Sequence, residues 1–172
     1  MNIIFFGNPE FCSYPLLELY NSKYNILSVV TNPDKKSGRG LKLKSSFVKQ
    51  QALELNIPVI ESDNVHSQEL FDQLSNLNPD LFVVVAFSML PDNILNIPNQ
   101  GSINIHPSLL PKYRGASPIQ YSILNGDDTT GVSIISLNSK IDSGNILAQE
   151  KVFIDKDANF GKMHEKLSIL GS

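Results

Sequence analysis

Asn104 and His106 stand two residues apart in "GSINIH", immediately before the proline-rich run "PSLLPKYRGASPI". The apolar stretch predicts a strand, and residues two apart on a strand project to one face. The Asn amide can donate to an oxygen on which negative charge develops. The imidazole can give or take a proton near neutral pH. Asp142, in "KIDSGN", lies beyond the following predicted strand, where Gly144 marks a tight turn. If both strands end on one side of the sheet, the three side chains converge. Asp142 would then orient the imidazole, or take a proton through it or through a water. No Ser, Cys or Thr is clearly activated as a nucleophile, although Ser108 is close. The set suits direct attack of an amine on a bound carbonyl, without a covalent enzyme intermediate. Taken singly, each residue also has an ordinary structural use. Asn and Asp satisfy turns, and a His can be a hydrogen-bonded interior group.

The elements that must position these residues follow from hydrophobic pattern. Pro107, Pro111 and Pro118 fix φ and lack a backbone N–H, so they break helix and strand alike. Upstream, "NIIFF" predicts a buried first strand that stops at Gly7. "PEFCSYPLLELY" predicts a helix that Pro15 divides. "ILSVVT", "IPVIE" and "DLFVVVAF" predict strands, the last one central. "FVKQQALELN" and "SQELFDQLSNLN" predict helices, with Ser45 or Ser46 and Ser67 as caps. "MLPDNILNIP" predicts a short helix or turn, "TGVSIISLN" and "GNILAQEKVFI" two further strands, and "GKMHEKLSIL" a last helix. Alternation of strand and helix predicts a mostly parallel sheet covered on both faces. Ligands of such sheets bind beyond the strand C-terminal ends, at a switch in strand order. His106 falls at such an end.

The 172 residues suit one domain. The formal charge is -3, but six cations lie in 32–49 against Asp34 alone. That segment, the loop "NPDKKSGRGLKLKSS" and the start of the next helix, is a local basic patch able to meet a phosphate backbone, or simply a solvated loop. One cysteine, Cys12, excludes an internal disulfide and suits a reducing compartment, with the thiol a small buried group. The opening is too briefly apolar for a signal peptide, and no run reaches transmembrane length. "GNPEF" follows the first strand where a dinucleotide fingerprint would, but it lacks G-x-G-x-x-G, so NAD is rejected. His66, His106 and His164 have no metal-ligand spacing.

Four stretches together carry a family resemblance: "FFGNPEF", "VVTNPDKKSGRGLKLKSSFVKQ", "NIHPSLLPKYRGASPIQYSILNGDDTTGVSI" and "IDSGNILAQ". They resemble the catalytic domain of the methionyl-tRNA formyltransferase family, from Asn2 to about Leu170. Asn8 stands where the family usually has Thr, and Phe47 follows serine where proline is common. The Asn-His and Ser-Leu-Leu-Pro elements are shared with glycinamide ribonucleotide and sugar-amine formyltransferases. The basic glycine loop and "RGASPIQ" point to the tRNA enzymes.

The resemblance implies an α/β, Rossmann-like fold of formyltransferase type, with a mostly parallel sheet and helices on both faces. It implies catalytic roles for Asn104, His106 and Asp142. It implies 10-formyltetrahydrofolate as the one-carbon donor. Donor contacts would come from Phe87, Ser88, Met89 and Leu90, from Ser108, Leu109, Leu110 and Pro111, and from Asp142. It implies tRNA contacts at Lys35, Lys36, Arg39, Lys42 and Lys44, and initiator methionyl-tRNA as the acceptor. A cytoplasmic monomer without membrane attachment is expected. Residues 1–172 are expected to form one catalytic domain, ending before such a domain usually closes and without the family's C-terminal β-barrel. Formyl transfer to a small or nucleotide-sugar amine, or folate binding without turnover, are the other readings.

Overall fold

The computed structural model describes residues 1–37 and 42–172. Strand β1 (Asn2–Gly7) leads through a 3-10 turn (Glu10–Cys12) into α1 (Ser13–Asn21). Pro15 sits in the first turn of α1, where its missing N–H breaks no helical bond. β2 (Asn25–Thr31) runs into a two-stranded hairpin, β3 (Lys35–Ser37) and β4 (Lys42–Lys44). Helix α2 (Phe47–Glu54), β5 (Val59–Glu61), α3 (Gln68–Asn76) and β6 (Leu81–Val85) follow. Short α4 (Asp92–Leu95) precedes β7 (Ser102–His106). The chain ends with α5 (Pro118–Leu124), β8 (Thr129–Ser136), β9 (Ile146–Phe153) and α6 (Phe160–Leu170). Ser46 and Ser67 cap α2 and α3 through their hydroxyls, accepting from Lys49 N at 3.0 Å and Leu70 N at 3.3 Å.

The main sheet has the order β5-β2-β1-β6-β7-β8-β9. It is parallel from β5 through β7, while β8 and β9 run antiparallel to their neighbours. The reversal has a geometric reason. A parallel return would have to carry the chain back along the whole sheet. Seven-residue α5 rises only about 10 Å, the rest of 107–128 is spent on the proline turn and short connections, and β8 starts near where β7 ends, with His106 opposite Ser133.

Alternation along β1 divides the core in two. Ile3 and Phe5 join Leu16, Val48, Ala52, Met163 and Leu167 beneath α1, α2 and α6. Ile4 and Phe6 join Leu70, Leu74, Phe82 and Ile94 beneath α3 and α4. Phe6 meets Phe82 edge-on, with centroids 4.9 Å apart. Burying each such side chain contributes about 1.5–3 kcal/mol. β1 thus lies between two dry layers, and the rim at its C-terminal end is held in place.

Two local expectations are corrected. The basic segment is a hairpin as well as a loop, with Lys35 opposite Lys44. Pro118 starts α5 rather than merely breaking structure, because the first helical position needs no N–H. Among the described residues, no helix is long and apolar enough to cross a membrane.

Candidate active site

The connections from β1 go to β2 on one side, while β6 lies on its other side, so strand order switches between β1 and β6. Beside this switch, a cavity of about 420 Å³ opens at the ends of β6 and β7. One wall is apolar, from Phe87, Leu90, Leu95, Leu137 and Ile141. Asn104, His106 and Asp142 form its polar end.

Asp142 reaches this end by an unexpected route. β8 is antiparallel to β7, so the end of β8 lies beside the start of β7, with Ser136 opposite Ile103. The strands therefore do not end on the same side of the sheet. Instead, the loop joining β8 to β9 folds back along β7. Gly144 sits so close to Ser136 that a Cβ would meet that residue's carbonyl. Asp142 has a left-handed backbone, φ 43°. The loop delivers its carboxylate, with 13% side-chain exposure, to the two β7 side chains.

Each carboxylate oxygen has a distinct set of partners. Oδ1 accepts from Asn104 Nδ2 at 3.5 Å. Oδ2 accepts the backbone N–H of Gly115 at 2.8 Å and stands 3.5 Å from His106 Nδ1. The other ring nitrogen, Nε2, is 2.9 Å from the carbonyl of Tyr113. A carbonyl can only accept, so Nε2 carries a proton. Nδ1 is the ring position left for chemistry.

The proline turn after β7 is tied down by polar contacts. Ser108, fully buried, donates from Oγ to Lys112 O at 2.6 Å. Ser133 Oγ donates to Ser108 O at 2.6 Å and accepts from Leu110 N at 3.1 Å. Gln149 Nε2 donates to Leu110 O at 3.1 Å. Ser108, Leu109, Leu110 and Pro111 do not line the cavity, whereas Phe87, Ser88, Met89 and Leu90 do. The structure therefore divides the expected donor contacts into a lining loop and a supporting turn. Leu109 fills the space beside Gly131, where a Cβ would lie 2.5 Å from its Cδ2.

Of the expected tRNA contacts, Lys35, Lys36, Lys42 and Lys44 lie on the hairpin. Lys35, Lys36 and Lys44 are exposed, Lys42 belongs to β4, and Arg39 lies outside the described residues. Lys49 belongs instead to the hairpin's base. Its Nζ bridges Asp34 Oδ1 at 2.8 Å and Glu61 Oε1 at 2.6 Å. The hydrogen bond from Lys49 holds the Asp34 carboxyl below its usual value, and the pairing with Asp34 and Glu61 raises the Lys49 ammonium. Asn8 ties the same base together, its Oδ1 accepting from Thr31 Oγ1 and Asn32 N. Thr31 also shares a 2.6 Å hydrogen bond with Ser46.

Sequence pattern does not reveal Tyr113, Gly115, Ser133 or Gln149, which touch the site through backbone groups or support its turn. The closely spaced proline and glycine in "PKYRG" are the only cue to a compact turn there. Cys12 donates to Val85 O at 3.2 Å, and burial pushes its thiol up to about 12, which is unsuited to a nucleophile. Among the described residues, no three His, Cys, Asp or Glu side chains are placed to hold a metal ion.

The described geometry defines an α/β protein with an Asn–His–Asp cluster at a strand-end cavity. The family pattern described as "Formyl transferase" matches residues 1–171, and the chain belongs to that family. It is 43% identical over 173 residues to the methionyl-tRNA formyltransferase of Clostridioides difficile (strain 630), covering 100% of this chain and 56% of that protein. It is 41% identical over 174 residues to the methionyl-tRNA formyltransferase of Caldanaerobacter subterraneus subsp. tengcongensis, covering 100% of this chain and 56% of that one. In fold it is similar to phosphoribosylglycinamide formyltransferase from Bacillus halodurans, with TM-score 0.80, 21% identity, and coverage of 99% and 89% of the two chains. The chain spans about half the length of the curated relatives it matches.

Proposed function

We propose that this chain carries the catalytic machinery for moving a formyl group from 10-formyltetrahydrofolate to the amino group of methionyl-tRNA. The observation that carries the reading is the meeting of Asn104, His106 and Asp142 at one end of an apolar slot. The slot suits the donor on two counts. Its wall of Phe87, Leu90 and Leu95 can cover a flat ring, and the loop 86–91 offers backbone groups to the ring edge. The polar end lies where a reactive carbonyl would need hydrogen-bond donors.

The donor, when bound, supplies a formyl carbon open to attack by an amine. Asn104 Nδ2 has a second N–H beyond the one aimed at Asp142, and this N–H can donate to the carbonyl oxygen as charge builds. His106 Nδ1, protonated, can donate to the same oxygen. Asp142 fixes the ring's orientation and takes the proton leaving the attacking amine, directly or through a water; as the bond between the formyl carbon and the donor nitrogen breaks, that proton is returned to the leaving nitrogen. Its own position is set by Gly115 N and Asn104 Nδ2. The exposed Lys35, Lys36 and Lys44 attract the phosphates of the acceptor. The reading assigns 1–172 to one catalytic domain and places the protein in the cytoplasm as a monomer, a location that suits its single buried thiol.

The test is formylation of charged initiator tRNA by this chain with 10-formyltetrahydrofolate, beside a nucleotide-sugar amine. Transfer to the tRNA is the expected result. Transfer to the sugar amine alone, or donor binding with no transfer to either, would overturn the proposal.

A further inference from the structure

We propose that Tyr113 is a positioning residue for His106, acting through its own backbone carbonyl, with Asp127 and Asn125 holding its side chain. The inference rests on the reading of His106 as a reacting group. Its observations are separate from the cavity. Tyr113 has φ 57°, a left-handed conformation that a bulky side chain adopts only where its surroundings over-determine it. That backbone turns the Tyr113 carbonyl onto His106 Nε2 at 2.9 Å.

The surroundings supply the constraint. The phenol donates to Asp127 Oδ2 at 2.8 Å and accepts from Asn125 Nδ2 at 2.9 Å. The ring stacks on Tyr121, with centroids 6.4 Å apart and planes 10° from parallel. On the backbone side, Lys112 O is held by Ser108 Oγ. The same short turn then presents Gly115 N to Asp142. One anchored turn therefore fixes both members of the pair, the imidazole through a carbonyl and the carboxylate through an N–H.

Chemistry follows from a competition. A neutral imidazole has one proton, and two acceptors face this ring: Tyr113 O at 2.9 Å and Asp142 Oδ2 at 3.5 Å. The nearer carbonyl keeps the proton on Nε2 and leaves Nδ1 bare. If the turn loosens, Asp142 draws the proton to Nδ1 and engages that N–H itself, so it is no longer free to donate to the carbonyl oxygen of the substrate.

The experiment is long-range nitrogen–proton correlation spectroscopy of the His106 ring in this chain, its signal assigned by loss in His106→Gln. The wild-type neutral ring should be protonated on Nε2. Tyr113→Phe, which keeps the ring and removes the hydroxyl, should move proton population toward Nδ1. Asp127→Ala should reproduce that shift and carries the test should Tyr113→Phe fail to fold, whereas Asp127→Asn, whose carbonyl still accepts, should restore the wild-type signature. Formyl transfer in the shifted variants should lose roughly tenfold in kcat with the donor KM unchanged. An unchanged ring signature in both Tyr113→Phe and Asp127→Ala overturns the proposal. A wild-type chain that shows Nε2 protonation but transfers no formyl group would refute the proposed function and leave the assignment of Tyr113 standing.

Discussion

The backbone N–H of Gly115 donates to Asp142 Oδ2 at 2.8 Å, and the same oxygen stands 3.5 Å from His106 Nδ1. Removing either side chain breaks this arrangement at its centre. His106→Ala and Asp142→Ala should reduce formyl transfer to background. Asn104→Ala, which deletes one oxyanion donor, should lower kcat by about 10²–10³. Initial rates, read beside the thermal midpoint, check this. Near-normal turnover of either Ala variant at 106 or 142 would refute their assignment.

Gly144 tests the loop rather than the charge. A Cβ there would run into the Ser136 carbonyl, and a backbone atom cannot swing aside as a long side chain can. Gly144→Ala should therefore displace the segment that delivers Asp142 and lower both the transfer rate and the melting temperature. Unaltered rate in a folded Gly144→Ala protein would show that Asp142 reaches the site by other means.

The hairpin's cations should behave differently from Lys49. Lys35→Ala, Lys36→Ala and Lys44→Ala should each weaken tRNA binding and lower the salt slope by about one where a phosphate is contacted. Lys49→Ala leaves Asp34 and Glu61 without their shared cation, so it should lower stability and weaken tRNA binding less steeply with salt. Titrations of affinity against salt separate the two; an identical slope for Lys49→Ala and Lys36→Ala would contradict this division.

Stability should decline at both ends of the pH range for different reasons. The Asp34 carboxyl lies lower in the folded chain, so its contribution is present above the unfolded value and is lost as pH falls through the folded one. Cys12 is raised from 9.0 to about 12. Between those values the unfolded chain sheds the thiol proton and the folded chain keeps it, so stability falls as pH rises, by up to about 1.4 kcal/mol per pH unit. Chemical denaturation at pH 9 to 11 should show a shallower decline in Cys12→Ala than in the wild type. Equal declines would mean that the thiol does not carry the effect.

The sequence was most informative where physical period was strong. β1, β6 and β7 are short apolar runs ended by Gly, by a loop and by Pro, and each is a strand in the parallel part of the sheet. Ser46 and Ser67 announced their helices because a hydroxyl before an apolar face has a defined hydrogen-bonding use. Asn104 and His106 could be paired by the two-residue period of a strand. The direction of β8 could not be read, since alternation is the same in parallel and antiparallel strands. The expected route of Asp142 therefore differed from the one found. Tyr113 and Gly115 contribute a carbonyl and an N–H to the site, groups that every residue but proline owns, so residue type gave no cue. Nor did side-chain pattern reveal the base of the hairpin, where Asn8, Thr31 and Ser46 meet from three separate elements.

The reversal of β8 also decides how a bulky guest could approach. A parallel successor to β7 would have needed a crossover arching over one sheet face, usually a helix. Here β7 passes to β8 through the proline turn and α5, and it is β8 that turns back by a hairpin into β9, whose loop lines that flank of the slot with Leu137, Asn138, Lys140, Ile141 and Asp142. Changes in hairpin length could then tune which visitors are admitted without disturbing a single strand register.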